Sequence, residues 1–332
     1  MNSVITYELE EWIDIENISW RYLSRNLNGI QLIQEKLYYN GVGWDTHNII
    51  RDHLICWSNL SSNPNATKIL ENNLDEIDWI ELCCNPNATH FFMKNQDKIF
   101  WPLFSENPFA IYYLEKNLGR VDWRRLSRNP NAIHILEENQ DKIDWVSLSG
   151  NPNAIRLLEK CPNMICWKKL SSNPNAIEIL RSNPDKIDWR KLSGNPNAIQ
   201  LLRQNINKIH WDKLSSNPNA IEMLKNNQDK IDWGFLCSNT NPDVIQMLEK
   251  NVDKIDWYYL SANPNAMTLL HDNYECIHWT SLSANPSIFK KMINYSIIKE
   301  RMNVIKEELI MKSMHPTRLE KWIEMGGDID DF

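Results

Sequence analysis

Eleven tryptophans, Trp57, Trp79, Trp101, Trp123, Trp145, Trp167, Trp189, Trp211, Trp233, Trp257 and Trp279, recur every 22 residues, with one step of 24 between Trp233 and Trp257. Six residues after most of them begins Asn-Pro-Asn-Ala. Self-similarity at a fixed period of this size belongs to stacked repeat architectures. One such unit is too small to bury its own apolar face, so each must lean on its neighbours.

The unit Ile187 to Asn205 shows how. Asp188 is a good N-cap, and Trp189, Leu192 and Ser193 follow at helical spacing, which predicts a first helix of about two turns, α or 3-10. Pro196 biases Asn195 away from helical backbone and ends that helix. Asn195 is then expected to cap a second helix starting at Pro196, with Ala198, Leu201 and Leu202 as its apolar stripe. Asn205 closes the unit, where asparagine tolerates the left-handed conformation of a helix C-terminus. The columns repeat: Ile143, Ile165 and Ile187; Leu148, Leu170 and Leu192; Ala154, Ala176 and Ala198. At roughly 8–10 Å per helix layer, ten copies predict a rod or superhelix on the order of 90 Å long.

The ends depart from the phrase. Trp20 to Asn26 is a degenerate copy with Leu27 in place of proline, and Tyr38 to Leu54 breaks the register. After Pro286 the motif stops; Ile288 to Met314 reads as one long helix or two, a last helix runs to Met325, and Asp328 to Phe332 is an acidic tail. One continuous domain is expected: residues 1–56 degenerate repeats and N-terminal cap, 57–287 regular repeats, 288–332 a helical C-terminal cap.

Composition narrows function by exclusion. The net charge is −7 and the isoelectric point about 5.7, unlike a generic nucleic-acid or membrane-surface binder. The N-terminus lacks a signal-peptide pattern, and no apolar run reaches the length of a membrane span. Seven cysteines, odd in number and scattered, fit reduced thiols and form no metal-ligand spacing. No phosphate loop, dinucleotide fingerprint, nucleophile elbow or paired catalytic carboxylates appear, so a non-enzymatic chain without cofactor, metal or small-molecule ligand is expected.

The phrase L-S-x-N-P-N-A-I-x-x-L-L-x-x-N-x-D-K-I-D-W, recurring from Trp57 to Ile288, resembles the Asn-Pro-Asn-Ala-Ile repeat proteins of giant DNA viruses of amoebae. It is distantly similar to leucine-rich-variant repeats, in which a 3-10 helix alternates with an α-helix in a right-handed superhelix. The present chain differs in its tryptophan column, shorter period and lack of an N-terminal cysteine cluster. The resemblance implies a viral protein in host cytoplasm, a virion component being the other setting. With the periodicity it leads to an all-α, right-handed α-solenoid of two-helix repeats.

Within that fold the tryptophans read as core, with Trp→Ala costing on the order of 3–5 kcal/mol. The asparagines read as caps and as a side-chain ladder between coils, and the recurring Asp-Lys before isoleucine as a solvated edge. His210 and His278 replace an N-cap Asp and read as variation. The positions left free lie between Trp and Leu of each first helix. Arg124, Arg125, Lys168, Lys169, Arg190, Lys191 and Lys213 make a basic stripe there, and Phe235, Tyr258 and Tyr259 an aromatic patch. Such positions carry specificity on repeat scaffolds. The expectation is protein–protein interaction, an acidic segment being the natural partner; nucleic-acid binding through the stripe, or a structural role in the virion, is the alternative.

Overall fold

The computed structural model describes residues 5–39 and 54–325; Trp44, most of Tyr38 to Leu54 and the acidic tail lie outside them. The chain is 60% helix and 3% strand, with short helices repeating about every 22 residues, an all-α solenoid. It divides into two units, Glu10–Ile288 and the combination of Met1–Leu9 with Phe289–Phe332.

Most copies in Glu10–Ile288 contain three short helical pieces rather than two; the Trp101 copy has only Trp101–Glu106 and Ile111–Glu115. In the Trp145 copy the three are an α-helix at Trp145–Ser149, an α-helix at Ile155–Lys160 and a 3-10 turn at Pro162–Met164. The tryptophan-led helix is α in every described copy. It starts where Asp144 turns its carboxylate onto the Ser147 N–H at 2.7 Å. The second α-helix begins three residues past the proline, after Ala154 in this copy; in the Trp189 copy a 3-10 turn at Pro196–Ala198, capped by Asn195 as expected, leads into it. Asn151 accepts the Asn153 N–H at 3.0 Å, closing a tight turn. The unit-closing asparagine is also corrected: Asn139 has φ −130° and ψ 51°, outside the left-handed region. It ends the helix by side-chain chemistry, its Nδ2 donating to the Ile135 carbonyl at 2.9 Å. It also precedes the 3-10 turn Gln140–Lys142, the piece that the Asp-Lys motif forms.

Position in the copy sets burial. Three residues after each tryptophan, Leu82, Leu126, Leu148 and Leu192 are 0% exposed, as are the alanines Ala132, Ala154 and Ala176. Beside them lies a column of buried asparagines. Asn151 Nδ2 donates to the carbonyls of Ser127 (3.1 Å) and Asn129 (3.0 Å) in the preceding copy, and the same pair of bonds recurs from Asn63 to Asn285. Serines two residues earlier add a second link: Ser127 Oγ donates to the Trp123 carbonyl at 2.7 Å and accepts the Asp144 N–H at 3.1 Å. Cys83 does the same in its copy, its Sγ lying 3.2 Å from the Trp79 carbonyl and 3.3 Å from the Phe100 N–H.

The ladder does not end. Asn26, in the degenerate copy, donates to the carbonyls of Ser283 (3.1 Å) and Asn285 (2.8 Å) at the far end of the sequence. Asn28 reaches the Pro286 carbonyl at 2.9 Å, and the Ser19 N–H reaches Ser283 Oγ at 2.9 Å. These are the bonds that join any two neighbours. The helix Trp20–Leu23 also packs against Trp279–Ser283 as other first helices pack in sequence. Twelve copies therefore close into a ring within Glu10–Ile288, sharing a full turn at a mean of 30° each. The open rod expected from periodicity is corrected on these bonds. Two apolar faces that a rod would leave to water cover each other.

The tryptophans are less enclosed than expected. Trp20 is 7% exposed, but the other eleven are half-buried. Their open faces carry the lysine column read as a solvated edge: Lys142, Lys186, Lys208 and Lys254 lie 4.9, 4.7, 4.6 and 4.6 Å from the ring centres of Trp123, Trp167, Trp189 and Trp233. The cation holds the indole face by electrostatic attraction and shields it from water.

In the other unit, strand β1 (Ile5–Leu9) pairs antiparallel with β2 (Phe289–Ile293), from Ile5 opposite Ile293 to Leu9 opposite Phe289. A helix at Tyr295–Ser313, capped by Asn294, and another at Pro316–Glu324 follow. The helix expected from Ile288 thus starts seven residues later, because a remote strand supplies backbone partners for Phe289–Ile293.

Candidate functional site: the inner wall of the ring

At most junctions the first helices of adjacent copies approach one another closely, whereas second helices stand farther apart. In a closed ring the closely spaced layer is the inner one. At 100° per residue, the buried leucine and serine (three and four after tryptophan) share one side of the first helix. The residues one, two and five after tryptophan share the opposite side, which faces the bore. With layers about 8–10 Å apart and a helix half-width of about 5 Å, twelve copies leave a bore on the order of 25 Å across.

All ten residues picked out in the sequence lie on this wall, on first helices from Trp123–Leu126 to Trp257–Ser261, with Trp145–Ser149 contributing none. They interlock across copies. Arg190 reaches Asp212 at 2.8 Å, and Lys213 lies 3.7 Å from the same carboxylate while its Nζ sits 4.1 Å over the Phe235 ring. Arg125 pairs with Glu106 at 3.2 Å. Arg124, Lys168, Lys169 and Lys191 are exposed and make no ion pair among the described residues. Further round, Tyr258 (56% exposed) and Tyr259 (46%) meet edge to face at 5.3 Å, and Tyr258 contacts His278 at 4.8 Å.

Sequence reading missed the third inward position, five after tryptophan. It adds Arg128, 3.3 Å from Ser147 Oγ, and Arg25, which donates to Asn59 Oδ1 at 2.7 Å. Arg21, two residues after Ser19, joins them in the degenerate copy. A helical wheel drawn past the leucine would have found Arg128 and Arg25; Arg21 lies between tryptophan and leucine of the degenerate copy. Over the three inward positions of twelve copies there are ten cations against Glu81, Glu106 and Asp212, a net +7 on a chain of net −7. Six N-cap aspartates lie on the same helices, with oxygens bound to their own backbone N–H groups, as Asp122 is to Arg125 at 2.9 Å.

Other chemistry-bearing groups are dispersed. Among the described residues no three His, Cys, Asp or Glu side chains gather as a metal site. No helix among them is long and apolar enough to cross a membrane. A surface recess of about 490 Å³, lined by Arg203, Trp211, Glu222 and Met223, holds one carboxylate, which Lys225 already pairs at 3.2 Å. Burial pushes the thiols of Cys83 and Cys237 up to about 11, away from the nucleophilic thiolate. Compared with known proteins, the chain matches no protein-family model, no curated protein and no solved structure. The functional reading therefore rests on the wall itself.

Proposed function

We propose that this chain is a non-enzymatic binding scaffold whose inner wall grips an acidic segment of a protein partner. The separation of charge carries the reading: an inward surface of net +7 within an otherwise acidic chain. Among the inward positions of the arc from Trp123 to Trp211, the cations free of a carboxylate or hydroxyl partner are Arg124, Lys168, Lys169 and Lys191. Four free cations suit a short run of Asp or Glu better than a phosphate track, where proteins commonly engage about 6–10 phosphates. The setting implied by the resemblance, a viral protein in host cytoplasm, belongs to this proposal.

Fluorescence anisotropy with a labelled Glu/Asp-rich peptide tests it. Reversing Lys168 and Lys169 to Glu is expected to weaken binding at least roughly tenfold at low salt, and salt should weaken the parent complex. Lys250→Glu, at the C-cap of the second helix Val244–Glu249, serves as the control. Equal loss from the control, or no binding by the parent, refutes the reading. A second reading has its own support: Phe235, Tyr258 and Tyr259 continue the basic arc with exposed rings of the kind on which bases stack. An oligonucleotide that binds the parent more tightly than the peptide, and loses affinity with Tyr258→Ala, selects it.

A further inference from the structure

We infer that the partner is encircled rather than docked: an extended acidic polypeptide passes through the bore, entering by a free end or through the seam between the Trp279 and Trp20 copies. This rests on the acidic-segment reading above and goes beyond it in topology. Three observations carry it. The free cations Arg124, Lys168, Lys169 and Lys191 face inward, so a partner must enter the ring to meet them. Arg21 belongs to the copy six steps round from the Trp167 copy, diametrically across the bore, so the positive lining is present on two opposed sides. An extended chain is on the order of 10 Å across, by the spacing of packed sheets, and passes a bore on the order of 25 Å, whereas a folded domain of about 150 residues does not. The seam is the one junction of the ring that the polypeptide does not itself cross; Asn26, Asn28 and Ser19 hold it by hydrogen bonds.

The test locks that seam. Ser281 and Tyr22 occupy the positions at which Lys213 and Phe235 meet in neighbouring copies. Y22C with S281C, in a full-length background with Cys56, Cys84, Cys161, Cys166 and Cys276 changed to Ser, is bridged by a short bis-maleimide. Two fluorescein-labelled Glu/Asp-rich peptides are compared by anisotropy, one with a free end and one carrying a folded domain of about 150 residues at each end. The locked ring should bind the free-ended peptide as the unlocked ring does, and bind the doubly blocked peptide at least a hundredfold more weakly. Equal binding of both peptides by the locked ring overturns encirclement and leaves the acidic-segment reading standing. Failure of the unlocked ring to bind either peptide overturns the acidic-segment reading and, with it, encirclement of an acidic polypeptide. Preference of the locked ring for linear over circular oligo-dT, with neither peptide bound, keeps the topology and overturns the polypeptide occupant.

Discussion

Two columns run side by side around the ring, and their burial inverts the order that hydropathy gives. The asparagines six residues after each tryptophan are almost wholly enclosed, Asn129 at 0% and Asn151 at 1% exposure, while the indoles that announce the repeat are half-open to solvent. The difference lies in unpaired groups. An asparagine in that column satisfies two carbonyls of the preceding copy and one N–H of its own turn, so burial leaves nothing orphaned. An indole carries a single N–H donor and otherwise needs only contact on its faces, part of which a lysine stem can supply. Hydrophobic periodicity marks where the core begins, but polar satisfaction decides what lies deepest.

The largest effect expected from this contrast is at the asparagines. Asn151→Ala leaves the Ser127 carbonyl and the Asn153 N–H without a partner, while the Asn129 carbonyl keeps the Ala132 N–H, and should cost about 2–6 kcal/mol in urea denaturation, at roughly 1–3 kcal/mol per buried orphan. Asn26→Ala should cost a similar amount, since its bonds at the seam are the same. In an open rod its donors would face water and the loss would be below about 1 kcal/mol, so this variant measures ring closure directly. Trp145→Ala is expected to cost less, about 2–3 kcal/mol, because part of the ring remains in solvent. If the tryptophan proves the costlier of the two, the ranking of the columns is wrong.

Cysteines sharpen the same contrast by reactivity. Cys237 occupies the buried serine position and Cys276 an exposed 3-10 turn. Burial raises the Cys237 thiol to about 11, so at pH 8 its thiolate fraction falls roughly hundredfold below that of an ordinary thiol. Cys276 should react with a disulfide reagent promptly, and Cys237 only on unfolding or as pH rises towards 11. Comparable rates in the folded protein would show that the column is open. Smaller still, Lys186→Met should cost about 0.5–1 kcal/mol through the lost attraction to Trp167. Ser19→Ala should change stability by less than about 0.5 kcal/mol, because its buried hydroxyl lacks a partner among the described residues.

Much of this was legible in the chain. The period fixed the unit, proline and asparagine the break between its helices, and the gaps between Trp and Leu the residues of the wall. Local chemistry misled at two points. The Asp-Lys motif looked like connecting surface because a single 3-10 turn has no periodicity to detect. The unit-closing asparagine looked left-handed because its helix-ending bond comes from the side chain. Ring closure was hidden because curvature is a sum of small rotations set by packing. Yet a signal was present in the degenerate copy. It lost its proline to Leu27 but kept Trp20, Leu23, Ser24, Asn26 and Asn28, and the two asparagines are residues whose bonds need a preceding neighbour. A capping end has no use for donors aimed outward.

Closure also makes membership a matter of whole numbers. Twelve copies divide a full turn into steps of 30°. Losing one by recombination would ask each remaining junction to bend by about 3° more, and gaining one by about 2° less, strain small enough for packed helices to share. Genes built from such units can therefore lengthen or shorten by single increments and still return the last module to the first.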